Sequence, residues 1–168
     1  MTLYLMRCVA AGTTLFSVYD ESGALCCTAQ TLSGLFGDGF QITGTLNDRE
    51  AEIYISPMLL PHIRMFTVQV GGQRRAQLRM MLDGSVRTLR VDGAPCTVLG
   101  RPMTGEYTVR RSDGQILYTQ QLQSKSVGRT AFTLTIPDGQ NAPTAVGIAV
   151  CLSMNLPAAR PAWAPASV

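Results

Sequence analysis

The chain has 168 residues, one domain's length, with 46% apolar residues, 15% charged residues and a net charge of +3. That balance rules out a disordered polymer, which needs low hydrophobicity and high net charge, and argues against a strongly electrostatic nucleic-acid binder. A domain of this size buries about two thirds of its unfolded surface, so a core is available without staples.

In chain order, Met1–Ala10 makes a poor signal peptide, because no basic segment precedes its apolar run and Arg7 interrupts that run. Runs of strand length follow one another: Thr2–Val9, Thr14–Tyr19, Ala24–Gln30, Phe40–Gly44, Glu50–Ser56 and Ile63–Val70. The second half continues with Gln73–Leu82, Val86–Val91, Cys96–Arg101, Glu106–Arg111, Gln115–Gln123 and Arg129–Ile136, making twelve in all. Between them stand Asp20-Glu-Ser-Gly23, Gly71-Gly72, Asp83-Gly84, Asp92-Gly93, Asp113-Gly114 and Asp138-Gly139. Asp-Gly and Gly-Gly supply the positive φ angles of tight hairpins. Short strands at this spacing indicate an all-β sandwich or barrel rather than βαβ units.

A repeat runs through these strands. An aromatic, a polar and an aliphatic residue recur as Phe16-Ser-Val18, Phe40-Gln-Ile42, Phe66-Thr-Val68, Tyr107-Thr-Val109 and Phe132-Thr-Leu134, at intervals of 24, 26, 41 and 25 residues. The long interval contains Leu89-Arg-Val91, which fits the template with Leu in the aromatic place. Such a period suits consecutive hairpins in a meander.

Thr144–Leu156 breaks the β pattern. It is apolar at every helical phase, Pro143 suits a first helical turn, and Pro157 marks a stop. A central buried strand fits the same run, since periodicity alone does not separate the two; the flanking prolines favour a helix. A helix apolar all round must be surrounded by protein or lipid. Thirteen residues give about 20 Å, too short for a bilayer but suited to the inside of a large barrel. Its small residues Ala145, Gly147, Ala149 and Ser153 would let strand side chains approach closely. The expected architecture is therefore all-β with one central helix: a closed antiparallel barrel of about twelve strands around a buried C-terminal helix near 144–156. The domain spans residues 1–157, and 158–168 forms an irregular Pro/Ala-rich tail containing Trp163.

Leu3-Tyr-Leu-Met6, the hairpin Phe16-Ser-Val-Tyr-Asp-Glu-Ser-Gly23, Leu59-Leu-Pro61 before Phe66-Thr-Val68, Ser124-Lys125 before Phe132–Ile136, and apolar Ala145–Leu152 occur in that order. In order and spacing they resemble the bacterial branch of the LURP-one-related family, relatives of tubby C-terminal domains and phospholipid scramblases. The resemblance covers residues 3 to about 156. It implies a tubby-like barrel around a hydrophobic helix and no established enzyme activity. The family's frequent lysines and tryptophans are largely absent, Lys125 standing alone beside thirteen arginines.

Catalytic chemistry has little to work with. The one histidine, His62, falls in an expected turn, with no Gly-x-Ser-x-Gly elbow to partner it. The five cysteines (Cys8, Cys26, Cys27, Cys96, Cys151) show no CxxC spacing and read as reduced, mostly buried thiols of a cytoplasmic protein. No metal site, P-loop or cofactor motif is visible, so no cofactor is expected. Asp48, Glu50 and Glu52 read as the wet side of a strand.

Arginine is the more informative residue. A two-residue turn at Asp83-Gly84 would place Leu78 opposite Leu89, Ala76 opposite Val91 and Arg75 opposite Asp92. Arg75, Arg79 and Arg90 then form a basic patch on the wet face, while Arg87 would land on the Leu78 face, so that it sits at the barrel mouth or the register fails there. Guanidinium groups on adjacent strands can hold phosphate bidentately, and tubby domains bind phosphoinositide head groups with basic residues on the barrel surface. The leading expectation is a non-enzymatic binding or scaffold domain with an unknown protein partner. The second is peripheral binding of anionic phospholipid or phosphate through that patch. Neither a specific nucleic-acid partner nor a transmembrane segment is expected.

Overall fold

The computed structural model describes residues 1–10, 13–34, 38–101, 104–126 and 128–154. Twelve strands run in order: β1 (Thr2–Ala10), β2 (Thr13–Tyr19), β3 (Leu25–Leu32), β4 (Gly39–Leu46), β5 (Arg49–Leu60) and β6 (Ile63–Val70). The remainder are β7 (Gln73–Met81), β8 (Val86–Val91), β9 (Ala94–Arg101), β10 (Glu106–Arg111), β11 (Ile116–Ser126) and β12 (Arg129–Thr135). Each pairs antiparallel with the next, and β1 pairs with β12, so the sheet closes into a barrel. A short 3₁₀ turn, Gly139–Asn141, leads into the helix α1 (Ala142–Met154).

Closure is a consequence of alternation. Along β1, Leu3, Leu5 and Arg7 point inward, with Tyr4 and Met6 between them on the other side. Every member of the aromatic–polar–aliphatic repeat behaves the same way. Phe16, Phe40, Phe66, Leu89, Tyr107 and Phe132 are all buried, as are the aliphatic residues two positions on. They occupy β2, β4, β6, β8, β10 and β12, every second strand, so the sequence period is one hairpin. Phe16 and Phe40 meet edge to face at 5.4 Å, a favoured aromatic geometry. The seam is held by the Met1 ammonium donating to the Ile136 carbonyl at 3.0 Å and the Ile136 amide donating to the Met1 carbonyl at 2.9 Å.

α1 fills the interior. Every residue from Thr144 to Ser153 is buried, and the helix packs on β5, β6, β7 and β11. Asp138 starts the segment, its carboxylate accepting from the Gln140 amide at 3.0 Å, the usual way an orphan N–H at a helical start is satisfied. An eight-stranded barrel is filled by its own side chains, and diameter grows with strand number. Twelve strands leave room for a helix, provided that helix is slim, and Ala145, Gly147, Ala149 and Ser153 make it so.

Three expectations need correction. The helix begins at Ala142, two residues before the predicted start. The predicted end at Leu156 and the tail with Trp163 lie outside the described residues. The β7–β8 connection is a four-residue loop, Leu82–Ser85, closed by the Met81 amide on the Ser85 carbonyl at 2.9 Å and tied by Asp83 accepting from the Ser85 amide and hydroxyl at 2.9 and 2.6 Å. β5 also outruns its predicted end at Ser56, because Leu60 pairs with Ile63 across the tight turn Pro61-His62. His62 has φ of +65° there, as the third position of a type II turn requires after proline.

Candidate functional site

The arginine face is built on β7 and β8. Leu78 pairs with Leu89, Ala76 with Val91, Gln77 with Arg90 and Arg79 with Thr88, as the sequence register predicts. Beyond Arg79 the ladder slips, so that Met80 faces Val86 and Arg87 has no opposite residue. A bulge of this kind absorbs one extra residue. Arg87 is accordingly exposed rather than on the Leu78 face. The expected apolar placement fails because the ladder slips by one residue between Arg79 and Met80.

Arg75 and Arg90 border one shallow depression of about 130 Å³, together with Arg74, Ala76, Gln77 and Gly93. Arg79 shares their side of the sheet but does not line it. Arg74, left out of the patch by simple alternation, joins because the β6–β7 ladder also slips: Val68 faces Ala76 but Gln69 faces Arg74. No residue pattern in Gln73–Ala76 announces that slip. Arg75 is already engaged, its Nε 2.9 Å from Asp92 Oδ1, and the backbone holds the pair in register through the Asp92 amide on the Arg75 carbonyl at 2.8 Å. Both side chains are a little over a third exposed, so solvent screens their attraction. The depression thus presents three guanidinium groups, one of them partly neutralised.

His62 is exposed at its turn. Glu50 and Glu52 lie on the outer face of β5; Glu52 accepts from the Tyr54 hydroxyl at 2.8 Å and the Gln41 amide at 3.3 Å. That hydrogen bond pushes the Tyr54 hydroxyl's pKa up. Among the described residues no three His, Cys, Asp or Glu side chains cluster as metal ligands would. All five cysteines are free. Cys27 and Cys151 are buried, whereas Cys8, Cys26 and Cys96 are only half-buried, fewer buried thiols than expected.

Two cations escaped the sequence reading as parts of the interior. Arg7 points inward on β1 and is 7% exposed, and burial lowers its pKa from the ordinary arginine value. Arg64 borders a 440 Å³ opening with Thr14, Thr31, Asp38, Phe40 and Met154. Met154 ends α1, and the partial negative charge of a helix C-terminus favours a nearby cation. The parity Leu3, Leu5, Arg7 is the signal that marks Arg7 as inward. Deeper in, Gln120 donates to the Gly105 carbonyl at 2.9 Å and the Ser153 hydroxyl at 3.3 Å, tying β11 to the helix.

No helix among the described residues is long and apolar enough to cross a membrane. Comparison of the chain with protein-family models and with curated proteins finds no match in either.

Proposed function

We propose that this chain is a non-enzymatic binding or scaffold module of the LURP-one-related, tubby-like type that works in the cytoplasm through the outside of its barrel. The observation that carries the reading is the occupied interior. α1 takes the space where a barrel of this width would otherwise hold a ligand, which leaves the outer face for recognition. The free thiols fit a reducing compartment. Incubation with general ester, phosphoester and peptide substrates should give no turnover. Turnover that His62→Ala abolishes would overturn the reading.

The depression at Arg74, Arg75 and Arg90 favours a second reading, in which the surface holds a phosphate group, free or on an anionic phospholipid. Planar guanidinium forks on neighbouring strands match phosphate oxygens, and Arg79 on the same side extends the positive field. Sedimentation with vesicles containing or lacking acidic phospholipid, run beside a titration with inorganic phosphate, tests it. Arg75→Ala with Arg90→Ala should abolish any acidic-lipid or phosphate dependence; equal recovery in the supernatant with both vesicle types and no phosphate effect removes this reading.

A further inference from the structure

Charge is not spread evenly around the barrel. Ile63–Arg101 forms the adjacent strands β6, β7, β8 and β9 and carries seven arginines against two carboxylates, Asp83 and Asp92. The rest of the chain carries seven cations and nine carboxylates. Asp83 and Asp92 both lie in connections, not in strands, and both are engaged. Asp92 pairs with Arg75, and Asp83 accepts from the Ser85 amide and hydroxyl at 2.9 and 2.6 Å.

Arg74, Arg79, Arg87 and Arg90 are exposed and make no salt bridge among the described residues. The β7–β8 ladder sets them in a row. Arg90 stands opposite Gln77, two residues along β7 from Arg75, and Arg79 lies two residues further on. Arg87 follows at the slip, next to Thr88, the partner of Arg79. At about 3.3 Å per residue, the row advances in steps of about 7 Å and runs about 20 Å from Arg74 to Arg87. Gln77 and Thr88, both neutral, share the outer face with it.

We propose that this row binds a linear inorganic polyphosphate, an extension that rests on the phosphate reading of the depression and carries it from one group to a chain. One phosphate sits at Arg74, Arg75 and Arg90, and the chain continues along the hairpin over Arg79 and Arg87. Polyphosphate offers anionic oxygens at every unit, so a single chain meets each guanidinium in turn, bidentately where the fork allows. Single-stranded nucleic acid would also need flat side chains for its bases to stack on. The one aromatic residue in Ile63–Arg101, Phe66, is buried. A flat bilayer would meet the convex wall of the barrel along a narrow strip, whereas a flexible chain can follow it.

Calorimetric titration of the full chain with orthophosphate, tripolyphosphate and a long polyphosphate tests it. Affinity counted per phosphate should rise with length, by about tenfold or more from orthophosphate to the long chain. It should also fall with salt more steeply for the longer ligand, because more counterions are released. Arg79→Ala with Arg87→Ala should weaken the long chain about tenfold and flatten its salt dependence, with a smaller loss for orthophosphate. Arg75→Ala with Arg90→Ala should weaken every ligand. Unchanged thermal unfolding of each variant separates lost contact from lost fold. If orthophosphate binds but affinity per phosphate does not rise with length, or the Arg79 and Arg87 changes leave the long chain unaffected, the polyphosphate proposal is overturned and the single-phosphate reading stands. If neither orthophosphate nor the long chain binds, both fall. Mixed-sequence single-stranded DNA or poly-glutamate binding as tightly at equal charge would also overturn it. So would acidic vesicles that displace the long chain through Arg79 and Arg87, which would give the row to a bilayer.

Discussion

Gly147 on α1 lies against Val68 on β6 with no room for one more carbon: a Cβ there would collide with Val68 Cγ1 and press on Ile53 Cγ2 from β5. The contact sets how closely the helix approaches the wall. Gly147→Ala should therefore destabilise the domain by about 1–3 kcal/mol through overpacking, even though alanine is about 1 kcal/mol better than glycine in a helix interior. Urea denaturation of the two proteins measures the difference, and a raised midpoint for the alanine variant would count against so tight a fit.

Ile148, the next residue, is 0% exposed. Ile148→Asp places an unpaired charge inside the barrel, at several kcal/mol against a total stability of about 5–15 kcal/mol. The variant should lose its cooperative thermal transition, while Ile148→Leu should stay within about 1.5 kcal/mol of wild type. A folded aspartate variant with an unchanged melting point would mean the helix is peripheral to stability.

Tyr118 is fully buried and its hydroxyl has no hydrogen-bond partner among the described residues. Burial pushes its pKa well above the ordinary phenol value. An unsatisfied buried hydroxyl costs about 1–3 kcal/mol of desolvation. Tyr118→Phe should thus melt at the same temperature as wild type or higher, and a clear loss of stability would reveal a partner for the hydroxyl.

Burial, reinforced by the neighbouring Cys26, pushes the Cys27 thiol up to about 11 from an ordinary 9.0. Cys151 shifts in the same direction. Folding here favours the neutral form. Below about pH 9 both folded and unfolded thiols are protonated and the contribution is complete; between about 9 and 11 only the unfolded chain ionises, so stability falls. The urea midpoint should decline above about pH 9, and Cys27→Ala should decline less steeply. Identical slopes would remove Cys27 from the account.

Asp92 stands in a left-handed turn position with φ of +51° and pairs with Arg75. Asp92→Asn keeps a residue that tolerates that φ and removes the charge. Because the pair is substantially exposed, stability should change by less than about 1 kcal/mol. If the depression holds phosphate, the same change should strengthen binding of inorganic phosphate by freeing Arg75; weaker binding would contradict that role for Arg75.

Strand number and order were legible because their causes are local. Asp-Gly and Gly-Gly turns announce hairpins, and Phe16-Ser-Val18 and its five counterparts mark the inward face of alternate strands through a two-residue period. The burial of α1 followed from its lack of a polar stripe, and Pro143 and Pro157 at its flanks favoured a helix over a central strand. Register was legible only as far as regular pairing ran. Leu78 opposite Leu89 is right, but Arg87 and Arg74 departed from alternation where β7 slips against both its neighbours, and a slip depends on how the sheet must curve.

The residues alone thus specified a meander of twelve strands and a wholly apolar helix that had to be covered, because side-chain period and turn chemistry act over a few positions. Closure into a barrel was expected from that need for cover, whereas the residue-by-residue pairing of β1 with β12, the place of Arg64 at the opening beside Met154, and the sharing of one depression by Arg74, Arg75 and Arg90 came from the folded barrel. Those relationships join positions far apart in the chain, and only the curvature and register of the closed sheet bring them together.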